Sequence, residues 1–370
     1  MMVIQTADRK ETLIYDKNGK KVEKKLQDYE ISKPSQLTIF EFLDEENYSN
    51  TVDIFDLVPK FLNRNPRSNT GRLEPIKKYP VIKINGKDLR FQVTITPATI
   101  EVENGVFRDL FPTIREEVVE LGIRKLAFSG QGKYFDKKAG ALFTVTQLHK
   151  LLKEHKRGYD KSDIMQAIEV LKKTTIDIKC LDDDAFPRIS VNYVSDSYTQ
   201  TLAAYNKGVN DSKCFVIFNS MVTDSINQKT LRMYNYKMLM QYKNIIADHL
   251  HMRITRNMKY AAYNGKENVF RISQSTLERD TNMPIYENYR DNKRQVITAL
   301  NKMKECGSVE EYWGEDEKEG KKTINTMYYL RISKNFCDEI IQANQKIDNA
   351  RTPAEKIEHR INILKKQGVL

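Results

Sequence analysis

The strongest constraint on the fold is an order of elements that the chain runs through twice. Residues 111–129, FPTIREEVVELGIRKLAFS, place Ile114, Val118, Leu121 and Leu126 at helical spacing behind a Pro-Thr entry. A Gly-rich turn follows, then LFTVTQLHKLLKEH and YDKSDIMQAIEVLKKTTIDIKC, which read as strand and helix, then helix and strand. The last strand passes an acidic tip, Asp182-Asp183-Asp184, into PRISVNYVS, so the third helix leads directly into a β-hairpin. After a short strand, CFVIFN, comes RMYNYKMLMQYKNIIADHLHMRITRN, where Tyr234, Met238, Leu239, Tyr242, Ile245, Ile246 and Leu250 recur at three and four residues and predict one long helix. The order then repeats. VFRIS is a strand, SQSTLERDTN a helix with a Ser or Thr cap, YRDNKRQVITALNKMKECG a helix ended by Gly307, and SVEEYW and NTMYYLRIS two strands joined by a charged loop.

Three helices closed by a two-stranded wing is the winged-helix pattern, repeated here in element order and hardly at all in residue identity. A length of 370 residues suits two domains. The fold class expected is α+β: tandem winged-helix domains at 105–210 and 211–340, behind an N-terminal extension at 1–104. Within that extension, residues 1–75 carry charge runs and short apolar islands such as IFDLV at 54–58, predicting a loosely ordered arm. Residues 79–102 place β-branched residues around Asn85-Gly86 and predict a β-hairpin. A helical tail over 341–370 contains the capping box Thr352-Pro353-Ala354-Glu355 and a last helix through Leu364.

The 61 basic against 50 acidic side chains leave a net charge of +11, and its location matters more than its size. Residues 206–305 hold 17 basic against 9 acidic side chains, a surplus of eight, whereas 101–205 and 306–370 are balanced and 1–100 carries +3. A surface that displaces counterions from a phosphate backbone concentrates its charge in this way. Cys180, Cys214, Cys306 and Cys337 are scattered, in no CxxC pair, and read as reduced thiols. No apolar run reaches the roughly 18 to 20 residues that span a bilayer, and no secretion signal opens the chain, so a cytosolic protein without membrane contact is expected.

A helical wheel through 289–303 gathers Tyr289, Val296, Ala299, Leu300 and Met303 in one sector and Arg290, Arg294, Thr298, Asn301 and Lys302 in the opposite one. In a winged helix this third helix enters the major groove, where guanidinium groups match guanine and an Asn amide matches adenine. Arg290, Arg294 and Asn301 are therefore the candidate base readers, and Lys293, Thr298 and Lys302 the candidate phosphate contacts. The same wheel on 160–173 turns Ile164, Ala167, Ile168 and Leu171 inward and leaves a nearly neutral front of Ser162, Gln166, Glu169 and Lys173, predicting weaker DNA contact or self-association. Arg253, Arg256 and Lys259 close the long helix, where they suit either phosphates or the helix dipole; both readings stay open. The second wing's loop, GEDEKEGKK, is acidic, and only Lys321 and Lys322 beside it are candidate phosphate contacts.

Catalytic chemistry is not indicated, and no metal or other cofactor is expected. His249-Leu250-His251 matches the His-hydrophobic-His pattern of HUH-type nicking endonucleases, with Tyr286 and Tyr289 downstream as nucleophiles. Both histidines fall within a predicted helix, however, where they diverge by about 200° and cannot meet at one ion. Ser129-Gly130-Gln131-Gly132-Lys133 lacks the spacing of a phosphate-binding loop.

On FPTIREEVVELGIRKLA, on LFTVTQLHKLLKEHKRGYDKSDIMQAIEVLKKTTIDI, and on VIFNSMVTDSI followed by RMYNYKMLMQYKNIIADHLHMRI, the chain resembles the winged-helix replication initiators of bacterial plasmids and some phages, the broad-host-range kind above all. The resemblance spans roughly 105–335. It implies binding to repeats in an origin, duplex opening, recruitment of the host initiator and replicative helicase, and a homodimer through the first domain. The acidic second wing and the long N-terminal segment depart from that pattern. A rolling-circle nicking enzyme and a winged-helix transcriptional repressor are the alternatives, the second needing the same groove contacts.

Overall fold

The computed structural model describes residues 2–5, 12–15, 48–52, 54–66, 71–84, 87–103, 105–198, 213–257 and 268–351. Lys259, the Asn85-Gly86 dipeptide and the capping box at 352–355 lie outside them. The backbones of β1 (Met2–Gln5) and β2 (Thr12–Tyr15) pair antiparallel.

The expectation of a loose segment through residue 75 fails at 48–62. Strand β3 (Tyr48–Thr51) is buried, and Phe55, Val58, Phe61 and Leu62 join the main core. After β4 (Ile76–Lys78), β5 (Val81–Ile84) and β6 (Lys87–Thr96) pair with Ile84 opposite Lys87, on either side of the Asn85-Gly86 dipeptide. The single hairpin expected over 79–102 is in fact two. Pro97, with no N–H to extend a ladder, ends β6, and β7 (Ala98–Glu103) pairs with β8 (Val106–Leu110).

Helix α1 (Ile114–Leu126) starts at the Pro-Thr entry, where the Thr113 N–H and hydroxyl both donate to the Glu116 carboxylate at 2.7 Å. A π-type turn over Ala127–Gln131, with Gly130 at φ 81°, leads to β9 (Gly132–Phe135) and β10 (Lys138–Thr144). Thr144 and Gln147 form a second capping box on α2 (Val145–Glu154). Helix α3 (Lys161–Lys173) buries Ile164, Ala167, Ile168 and Leu171, and also Met165 and Val170, so more than one side is covered. Strands β11 (Thr175–Cys180) and β12 (Ile189–Asn192) form the hairpin expected after it. Here β11 also pairs with β6, giving the sheet order β12-β11-β6-β4 with β5 added on β6. A second sheet takes β13 (Val194–Tyr198) and β14 (Lys213–Phe218) in the order β13-β14-β10-β9.

Helix α4 (Ser220–Asn227) leads to β15 (Arg232–Asn235), which pairs with β3. The long helix expected across 232–257 is broken. Its first residues are β15, then α5 (Tyr236–Tyr242) stops at Lys243, which takes φ 49°, and α6 (Ile245–Asn257) restarts. The restart has a local cause: the Asn244 Oδ1 accepts from the N–H groups of Ile246 and Ala247.

The second unit continues with β16 (Val269–Ser273), α7 (Gln274–Asp280) and α8 (Tyr289–Glu305), followed by β17 (Val309–Glu319) and β18 (Lys322–Ile332) in a sheet of order β16-β18-β17. Helix α9 (Lys334–Asn349) begins seven residues before the helical tail expected from 341: Ser333 caps it, and Phe336, Ile340, Ala343 and Ile347 recur at helical spacing. It joins the units, with Phe336 and Ile340 in the second core and Ala343 and Ile347 in the first. The molecule is a mixed α+β structure, and among the described residues no helix is long and apolar enough to cross a membrane.

Candidate nucleic-acid interface

The site is built on α8. Asn288 caps its N-terminus by accepting from the Arg290 N–H at 3.0 Å, and Val296, Ala299, Leu300 and Met303 are fully buried in the second core. That anchorage presents Arg290, Arg294, Thr298 and Asn301 to solvent, with Lys302 half-buried beside them. Tyr289 is half-buried, its hydroxyl 2.7 Å from that of Thr326. No ion-pair partner of Arg290 lies among the described residues. Arg294 is 71 % exposed and pairs with Asp291 at 2.7 Å, a helix i,i+3 contact that is weak in water. The Thr298 hydroxyl donates to the Arg294 carbonyl at 2.8 Å.

Two side chains of this face are engaged by the wing. Lys293 Nζ lies 2.6 Å from Asp316 on β17, and the Asn301 Oδ1 accepts from the Tyr312 hydroxyl at 2.5 Å. The acidic β17–β18 hairpin therefore touches α8 through Tyr312 and Asp316. Lys321 and Lys322 are exposed at the far end of the hairpin.

Arg253 is held elsewhere: with Arg279 it grips the buried Asp280 at 2.7 Å, fixing α6 to the end of α7. Burial pushes the Asp280 carboxyl up, but these guanidinium hydrogen bonds outweigh it and leave its pKa below the ordinary value. That pair gives Arg253 a structural role without any ligand. Arg256 is half-buried on α6.

The corresponding front in the first unit is flanked by a hairpin. Ala98, Ile100 and Leu110 of the β7–β8 hairpin pack on Val170 of α3, and Lys173 Nζ reaches both Glu169 at 2.6 Å and the Thr99 carbonyl at 3.4 Å. Ser162 and Lys173 stay exposed at the two ends of this front, with Gln166 and Glu169 half-buried.

The two histidines do not form a metal site. His251 is fully buried among Tyr234, Tyr242 and Phe336, with Nδ1 3.0 Å from the Tyr242 hydroxyl. Burial pushes its pKa down to about 3 and that of His249 to about 4, so both rings are neutral. Among the described residues no group of three or more metal-ligating side chains is assembled.

The sequence reading missed the joint between the units. Asp56 accepts from the Val52 N–H, from Lys60 Nζ at 2.8 Å and from Arg124 Nη1 at 2.7 Å, while Glu120 takes the second Arg124 nitrogen. Burial opposes the Asp56 charge, yet Arg124 and Lys60 hold its carboxyl far below the usual range. Segment 54–62 is thus locked onto α1, and it reaches the second unit directly. The Asn282 amide, in the turn between α7 and α8, donates to the Pro59 and Phe61 carbonyls. A small cavity of about 60 Å³ lies at this joint, lined by Lys60, Glu117, Asp248, His249 and Asn282 among others. Burial raises Glu117 to about 8, with Asp248 contributing, and raises Asp248 to about 7 against the pull of Arg157. Only the IFDLV island hinted that 54–58 packs against anything.

No family model matches the chain, and no curated protein does. Among solved structures, it is similar to domains 2 and 3 of RctB, with 11 % identity and a TM-score of 0.45 over 74 % of this chain and 95 % of that one. It is also similar to the Pi initiator protein in complex with iteron DNA, with 14 % identity and a TM-score of 0.40 over 58 % and 91 %. A second structure of the RctB domains 2–3 gives 10 % identity and a TM-score of 0.38 over 78 % and 99 %.

Proposed function

We propose that the chain is a sequence-specific double-stranded DNA-binding protein that initiates replication at the repeats of an origin, without catalytic activity of its own. One observation carries the reading: α8 buries its apolar back completely while Arg290, Arg294, Thr298 and Asn301 stand exposed along its other side. The diameter of a helix suits the major groove, and these are the side chains that match guanine, thymine methyl or phosphate, and adenine there. The surplus of eight positive charges over 206–305 supplies the sequence-independent attraction to phosphate. Origin opening and recruitment of the host initiator and helicase follow from the family resemblance, as does a homodimer through the first unit.

The test is selection of duplexes from a randomised pool, then footprinting on the replicon that encodes the protein. Arrayed protected repeats are the expected outcome, and a single protected promoter operator would favour a repressor instead. Incubation with supercoiled origin DNA and Mg²⁺ should leave the strands intact; a covalent tyrosyl adduct would overturn the non-catalytic reading.

A further inference from the structure

The wing's acids do not all face the same way. Along β17, Glu311, Glu315 and Glu317 take one set of alternate positions and meet Arg331, the Tyr329 hydroxyl and Asn325. Tyr312 and Asp316 take the other set and reach α8, at Asn301 and Lys293. Asp316 is also anchored. Its Oδ1 accepts at 2.7 Å from the hydroxyl of Thr326, a fully buried residue directly opposite in the ladder, and that hydroxyl is 2.7 Å from the hydroxyl of Tyr289. A carboxylate tied to a buried hydroxyl chain is a fixed charge, and the adjoining Lys293 ammonium holds its pKa below the ordinary value. With side chains only 28 % and 29 % exposed, the pair is half withdrawn from water, where its attraction exceeds that of an open surface pair.

We propose that Asp316 is a specificity-determining residue of the DNA interface: it withholds Lys293 from random duplex and yields it to a phosphate only in the close complex with the recognised sequence. The inference rests on α8 as the reading helix. Non-specific binding is almost wholly phosphate electrostatics through a loose, hydrated interface, so there the pair stays closed and one cation is lost to the complex. In the close complex, base contacts by Arg290, Arg294 and Asn301 seat α8 deeply enough for a phosphate to displace the carboxylate. Asp316 acts through Lys293 and is a positioning residue.

Salt slopes read this directly. Affinities are measured between 50 and 200 mM salt for a duplex recovered by the protein from a randomised pool and for a scrambled duplex of the same composition. The parent protein should show a steeper slope on the recovered duplex by about one unit, one phosphate contact. Asp316→Asn keeps an acceptor for Thr326 and should steepen the scrambled slope by about one unit, an extra loss of about fourfold over that salt range. Lys293→Gln should flatten the recovered slope by a similar amount and make Asp316→Asn silent. A purely structural role would shift the thermal midpoint and leave both slopes alone, and that result overturns the proposal, as does an equal steepening on both duplexes. Should no sequence be preferred, base reading by α8 fails, and the scrambled arm still judges whether Asp316 withholds Lys293.

Discussion

Helices α3 and α8 occupy the same place in two units of the same element order, yet the front of α8 is exposed along four residues while that of α3 is exposed only at its ends. On α3, the β7–β8 hairpin lies over Val170 and claims Lys173 through the Thr99 carbonyl. On α8, the neighbouring wing touches the front through single polar contacts and leaves Arg290 and Arg294 in water. The difference teaches that an added hairpin packed beside such a helix narrows its exposed polar front. In the first unit that hairpin comes from residues 98–110, ahead of the repeat itself.

The contrast is open to attack at several points. The largest effect is expected where the first unit is tied down: Asp56→Ala leaves Arg124 and Lys60 buried without their shared carboxylate and should cost about 3 to 5 kcal/mol, read by chemical denaturation. Next is the pair of fronts. Arg294→Ala should weaken the recovered duplex by about 1 to 3 kcal/mol and relax specificity, while Lys173→Ala leaves DNA affinity unchanged; equal losses would erase the distinction between α3 and α8. Lys302→Ala should act alike on all duplexes and flatten the salt dependence by about one unit.

Smaller effects belong to the joint between the units. Asn282→Ala removes a side chain that donates to the Pro59 and Phe61 carbonyls, and should cost about 1 kcal/mol of stability while loosening α8 relative to the first unit. Hydrogen exchange of residues 54–62 reports that loosening. The smallest effect depends on pH. Glu117 has its folded pKa raised to about 8, so the folded chain keeps a proton that the unfolded chain releases near the ordinary value of 4.5. Its contribution is therefore full in acid and is lost as pH rises to about 8. Glu117→Gln should match the parent near pH 4 and melt higher than the parent at pH 8.

The inward and outward faces of α8 were legible because Val296, Leu300 and Met303 recur at a period that the backbone alone imposes. The Pro-Thr entry to α1 and the strand pair flanking Asn85-Gly86 were legible as well, because each depends on neighbouring residues alone. The break at Lys243 was concealed because apolar spacing runs on through it, and only Asn244 marked the restart. Segment 54–62 looked like an arm because its two buried charges, Asp56 and Lys60, read as solvated until Arg124 and Glu120 stand against them.

The amino-acid order thus determines periodic structure, caps and the sign of each helix face, since those depend on residues within a few positions of one another. Which face stays open is a different kind of fact. The hairpin packed against Val170 of α3 lies some sixty residues away, and the charge opposite Lys293 comes from a strand whose alternation picks Asp316 over Glu315 and Glu317. Contacts between parts distant along the chain depend on packing and register, which local patterning does not encode.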